Sequence, residues 1–186
     1  IPAGLRRKWS DPKVDSKKYS CSTFMLYLGV EGEVDLPHHT IYTSTTYREN
    51  LDDIGAGRLT DDASTYLHNP SAIDPSLAPA GCSSLYVLVP TPNDRADIDW
   101  NSEGPALRNA TLEKLESVFG IEGLRDRIRV EKMVTPADWA AERINHGATF
   151  NLAHGLDQML HRRPQHKLEE VDGVWLVGGG THPGSG

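Results

Sequence analysis

The segment Ser22-Thr-Phe-Met-Leu-Tyr-Leu-Gly29 places Phe24, Leu26 and Leu28 on one side of an extended chain, and Met25 and Tyr27 on the other. Both sides are apolar. A strand of this kind lies inside a covered sheet, or it shows its second face to a greasy ligand. Ser84-Leu-Tyr-Val-Leu-Val89 is a second strongly strand-forming run and ends at Pro90. His39-Thr-Ile-Tyr-Thr-Ser44 alternates, and Thr65-Tyr-Leu-His-Asn69 is a shorter candidate closed by Pro70. In most cases the links between these runs are too short for helical crossovers, which predicts an antiparallel or mixed sheet.

The second half of the chain changes character. Residues 105–119 set Leu107, Leu112, Leu115 and Val118/Phe119 at near-helical spacing among charges, with Gly120 as a stop, so an amphipathic helix is predicted. Ile128-Arg-Val-Glu-Lys-Met-Val134 alternates with period two and reads as a strand, with Ile128, Val130, Lys132 and Val134 on one face. Thr135-Pro-Ala-Asp-Trp carries a hydroxyl at the N-cap, proline at the first helical position and a carboxylate at N3, which starts a helix running to about Ile144. Val171-Asp-Gly-Val-Trp-Leu-Val177 reads as a compact apolar strand running into Gly178-Gly-Gly-Thr-His-Pro-Gly-Ser-Gly186. The fold class expected is α+β, a mixed and largely antiparallel sheet with helices packed on one side.

Composition narrows the function classes. The chain has 186 residues, 38% of them hydrophobic, and a formal net charge of -7. That charge argues against nucleic acid as a partner, since phosphate contacts need clustered Lys and Arg. The basic residues Arg6, Arg7, Lys8, Lys13, Lys17 and Lys18 gather in a connector-like leader and read as solvated. Cys21 and Cys82 lack ligand spacing and read as small buried residues of a reducing compartment. None of the eight histidines forms a helical i, i+4 pair with a carboxylate, so no residue is assigned to a metal. Asp52-Asp53 and Asp61-Asp62 read as solvated loop acids, and no G-x-S-x-G supports a serine hydrolase. No apolar run approaches the length needed to span a bilayer.

The glycine-rich end carries the most chemistry. Consecutive glycines after an apolar strand let backbone approach a bulky ligand and permit positive φ. A helix beginning after them would favour negative charge at its N-terminus, on a pyrophosphate or a reduced flavin. Thr181-His182-Pro183 adds a stiffened turn.

Several segments together resemble the bacterial phytoene desaturases. They are Lys18-Tyr-Ser-Cys-Ser-Thr-Phe-Met-Leu-Tyr-Leu-Gly29, Leu67-His-Asn-Pro-Ser-Ala72, Asp74-Pro-Ser76, Ala78-Pro-Ala-Gly81, Gly147-Ala-Thr-Phe-Asn-Leu-Ala-His154 and Trp175-Leu-Val-Gly-Gly-Gly-Thr-His-Pro-Gly-Ser-Gly186. The resemblance implies an FAD-dependent enzyme that removes hydride and proton from a long polyene and passes electrons to an acceptor such as oxygen or quinone. It implies that residues 1–170 form the substrate (polyene)-binding region and 171–186 a partial return into the FAD-binding domain. Gly179, Gly180, Thr181, His182, Pro183 and Gly184 would then contact FAD, and Phe24, Tyr42 and Phe150 would contribute to an apolar wall for the substrate. No catalytic base is assigned.

The family pattern continues past such a glycine loop through a Leu-Pro pair into a helix, and begins with a GxGxxG dinucleotide fold; neither is in this sequence. Ile1 is not an initiator methionine. The expectation is therefore a C-terminal portion of a longer flavoprotein, cytoplasmic and peripherally attached to a membrane surface through elements outside it. A carotenoid isomerase or saturase and a non-catalytic lipid-binding remnant are the alternatives.

Overall fold

A computed structural model describes residues 1–6 and 8–184; Arg7 of the basic leader, and Ser185 and Gly186 of the glycine-rich segment, lie outside the described residues. The strands are β1 (Ser22–Glu31), β2 (His39–Tyr42), β3 (Thr65–His68), β4 (Cys82–Thr91) and β5 (Ile128–Val134). They form one five-stranded sheet in the order β2-β3-β4-β1-β5. Every neighbouring pair is antiparallel. The helices are α1 (Asp11–Asp15), α2 (Tyr47–Gly55), α3 (Trp100–Ser117), α4 (Leu124–Arg127) and α5 (Pro136–Ala141). This is the α+β class that the alternating segments predict.

Alternation decides which way each strand faces. On β4, Leu85, Val87 and Val89 are buried while Tyr86 and Leu88 are only partly covered. Phe24, Leu26, Leu28 and Val30 of β1 share the same core, which α3 closes with Leu112 and Leu115. Both leucines are fully buried, so truncating either to alanine is worth about 2–5 kcal/mol.

Several expectations need correction. α3 begins at Trp100, five residues before Pro105, because the Asp99 carboxylate accepts from Asn101 N at 3.1 Å and caps the helix there. α5 stops at Ala141 although its capping box is as expected; Arg143 at φ 66 takes the chain out of the helix. On β5 the register against β1 shifts between Gly29 and Val30, with Val30 opposite Ile128 and Gly29 opposite Val130. Arg129 is the extra residue of a bulge, and a bulge reverses parity. Ile128 and Met133 therefore pack against the core, whereas Val130 is 67% exposed.

A further correction concerns residues 171–177, which do not form a strand. Their backbone pairs only briefly, through the isolated Lys167↔Trp175 bridge and the bonds Leu168 N→Val174 O and Leu176 N→His166 O. With so short a partner, Trp175 and Val177 remain exposed. The two free cysteines are likewise only partly buried rather than core residues.

α2 has no counterpart among the predicted elements. Its buried Asn50 accepts from Ser64 N at 3.2 Å and so joins the helix to the approach to β3. Asp62 is not a merely solvated acid. It accepts from Thr45 N at 2.8 Å, the hydroxyls of Thr45, Ser44 and Tyr42, and Lys114 Nζ at 3.0 Å. Partial burial pushes its pKa upward, but the Thr45 amide, Lys114 and the two hydroxyls outweigh that and hold the carboxyl well below the usual range.

Candidate functional site

The glycine-rich segment is shaped from behind by one arginine. Arg163 is fully buried. Its Nη2 donates to Gly179 O at 2.7 Å and Leu152 O at 3.0 Å, Nε to Thr181 O at 3.2 Å, and Nη1 to Ala153 O at 3.3 Å. Burial lowers its pKa, and among the described residues no carboxylate pairs with it. The charge is answered by carbonyl dipoles alone, a use suited to the planar five-donor guanidinium.

Side chains and backbone close the loop further. Thr181 Oγ1 donates to Gly178 O at 2.8 Å, and His182 N donates to Pro164 O at 2.7 Å. Gly178 and Gly184 take φ of 114° and 118°, which L-residues rarely adopt. At Gly184 a Cβ would also meet the tip of the exposed His154 imidazole, which would have to swing aside. Pro183 is exposed and His182 half-buried, with His182 Nδ1 enclosed but lacking a partner.

Gly180 and Thr181 form one wall of an open cleft of about 330 Å³, whose other walls include Trp9, Tyr19, Leu152 and Trp175. Trp9 lies under Lys13 and Lys17, at 5.2 and 5.6 Å from its ring centre. Tyr19 is held by Asn145 Nδ2 at 3.1 Å and by its own bond to Val14 O. Burial raises the Tyr19 pKa, so the phenol stays protonated at neutral pH. This volume is at the lower end of ligand pockets, which run about 300–1,000 Å³. It has room for a flat ring or a stretch of polyene, not for a whole dinucleotide.

The three residues expected to line a substrate wall are not brought together. Phe24 is fully enclosed in the core. Tyr42 sits at the edge of the sheet, its hydroxyl on Asp62 and its ring under Lys114 Nζ at 4.5 Å. Phe150 is partly exposed in the segment between α5 and Arg163. The open aromatic surface lies elsewhere, on the sheet face opposite α3. There Tyr27 is opposite Tyr86 and Tyr86 opposite His68, with Tyr27–Tyr86 and Tyr66–Tyr86 ring centres 5.4 and 6.1 Å apart. The alternation of β4 exposes this row in sequence, but the cross-strand pairing that assembles it does not follow from any one strand.

Two groups escaped sequence reasoning. Arg163 looks like one more surface cation in His161-Arg162-Arg163-Pro164. His38, His39 and His68 are distant in sequence yet meet in space, since β2 and β3 pair with His39 opposite His68. Only the β2–β3 register, with His39 opposite His68, brings them together.

The chain that builds the antiparallel sheet, the aromatic face and the stapled glycine loop is similar over its whole length to carotenoid desaturases. It is 46% identical over its whole length to a 4,4'-diapophytoene desaturase (4,4'-diapolycopene-forming) of Methylomonas sp. It is 44% identical to an all-trans-zeta-carotene desaturase of Myxococcus xanthus and 40% identical to a phytoene desaturase (lycopene-forming) of Pseudescherichia vulneris, again over the whole chain. The chain spans 36–38% of the length of these relatives. No protein-family model matches it.

Proposed function

We propose that this chain is the substrate-side portion of an FAD-dependent carotenoid desaturase, which takes hydrogen from a long polyene and extends its conjugation. The observation that carries the reading is the full-length similarity to desaturases named for phytoene, diapophytoene and zeta-carotene. The aromatic-lined cleft beside a glycine loop of fixed shape supports it. A hydrocarbon offers no polar handle, so its site must be built from apolar and aromatic walls.

The residues of the loop fit a flavin. Gly180 and Thr181 present a wall with little side-chain bulk, which lets a flat ring lie close to the backbone. When bound, FAD supplies the hydride acceptor. Residues 1–170 act as the polyene-binding region and 171–186 as the return toward the FAD-binding domain. Oxygen or a quinone takes the electrons onward. The exposed apolar side chains Leu156, Leu160, Trp175 and Val177 support a further apolar contact on this side, with another part of a longer protein or a membrane surface. On this reading the protein works in the cytoplasm as a peripheral membrane enzyme. Among the described residues no helix is long and apolar enough to cross a membrane.

Flavin retention tests the reading. The chain alone should not retain FAD, because one loop cannot supply the pyrophosphate contacts of a dinucleotide fold. A longer protein joining it to such a fold should purify with stoichiometric flavin. Stoichiometric FAD on the isolated chain, or none on the longer protein, would contradict it.

A further inference from the structure

The sheet face opposite α3 ends, at its β2 edge, in three imidazoles. His39 and His68 are direct cross-strand partners, so their side chains leave the sheet on the same side. His38 immediately precedes β2, and Asn69 N donates to its carbonyl at 2.9 Å. Its ring folds back to lie 4.1 Å from that of His39 and 4.5 Å from that of His68, centre to centre. One nitrogen from each ring falls within a set whose members are all within 4.8 Å of one another. The Nε2 atoms of His38 and His68 are only 2.9 Å apart.

We infer that His38, His39 and His68 form a binding site for one late first-row divalent cation, with zinc the best match. Tetrahedral zinc at about 2.0–2.1 Å from each imidazole nitrogen needs those nitrogens about 3.4 Å apart, inside the range the three already span. Small rotations of the rings suffice. The set is all nitrogen, with no carboxylate or thiol in it, which disfavours magnesium and calcium and suits zinc, cobalt, nickel or copper. Three protein ligands leave a fourth position for water or an anion.

Orientation is provided as well. Tyr66 Oη lies 2.6 Å from His39 Nδ1, in place to accept that proton when Nε2 of the same ring is on the ion. The ion would tie β2, the edge strand, to β3 at the end of the aromatic row. It is separate from the glycine loop and does not depend on flavin.

The test is titration of the chelator-treated full chain with zinc chloride in a calorimeter, and with cobalt chloride followed by visible absorption. One equivalent of each should bind saturably, cobalt should give the intense bands of a four-coordinate nitrogen site, and zinc should raise the melting temperature. His39→Gln, at an exposed position, should keep the fold by circular dichroism and weaken zinc by at least about tenfold. The double variant His39→Gln/His68→Gln should lose saturable binding, whereas His161→Gln should bind as the parent does. Absence of saturable binding in the parent, or unchanged affinity in the folded His39→Gln protein, would overturn the assignment.

Discussion

Arg163 Nη2 donates to the carbonyl oxygen of Gly179 at 2.7 Å, and through this contact a fully buried cation sets the shape of the glycine-rich segment. The same side chain reaches Thr181, Leu152 and Ala153, so the loop and the segment behind it are tied to one guanidinium. Arg163→Met should strand these carbonyls and cost about 2–4 kcal/mol. Melting should fall by about 5–15 °C. Arg163→Lys keeps the charge but not the planar fork, and should fall between the two. A melting temperature of the methionine variant within a degree or so of the parent would remove Arg163 from its organising role.

Gly184 has φ 118° beside His154, so Gly184→Val meets an unfavourable backbone and must push the exposed imidazole aside. In a flavin-bearing longer protein this variant, and Gly179→Val, should lose bound FAD, measured as the ratio of flavin to protein absorbance after gel filtration. Undiminished flavin in either would argue against placing the cofactor at this loop.

Gly147 and Gly120 offer a controlled pair, since both have positive φ, 59° and 76°. A Cβ on Gly147 would lie 2.9 Å from the Pro136 carbonyl carbon, whereas one on Gly120 meets nothing within 4 Å. Gly120→Ala should cost about 1–2 kcal/mol, the backbone penalty alone. Gly147→Ala must also displace α5 and should cost at least about 3 kcal/mol. Urea denaturation gives both values, and equal losses would show that the Pro136 contact relaxes without cost.

Much of this was legible in the strands. Alternation in Cys82–Thr91 marks Leu85, Val87 and Val89 as core, and the Thr135 capping box reads directly from Thr-Pro-Ala-Asp. The faces of β5 were not legible, because the bulge at Arg129 is a tertiary event: β5 carries no glycine or proline, and Gly29, which sits opposite it, belongs to β1. The apolar run at 171–177 says that burial is favourable but not what would provide it. Arg163 and the three histidines owe their environments to partners far along the chain. Local sequence carries no mark of such contacts.

Asp62 holds a pH dependence. Its folded pKa is depressed, so its contribution is fully present above the unfolded value of about 3.9 and is lost as pH falls from there through the lower folded value. Asp62→Asn should therefore cost about 1–2 kcal/mol at neutral pH and at pH 5, with the gap to the parent closing below about pH 4. Chemical denaturation across that range checks it. A gap that widens on acidification would reverse the sign assigned to Asp62.

On the proposed function this chain forms the polyene side of a desaturase. The most direct measurement joins it to its dinucleotide-binding portion, supplies phytoene or diapophytoene in lipid vesicles with an oxygen or quinone acceptor, and records the visible spectrum of the extracted hydrocarbon. New absorption bands of a longer conjugated polyene, reduced several-fold by Trp175→Ala in the cleft wall, are the predicted result. A flavin-loaded, folded protein that returns only the colourless precursor with every such substrate and acceptor would contradict the account.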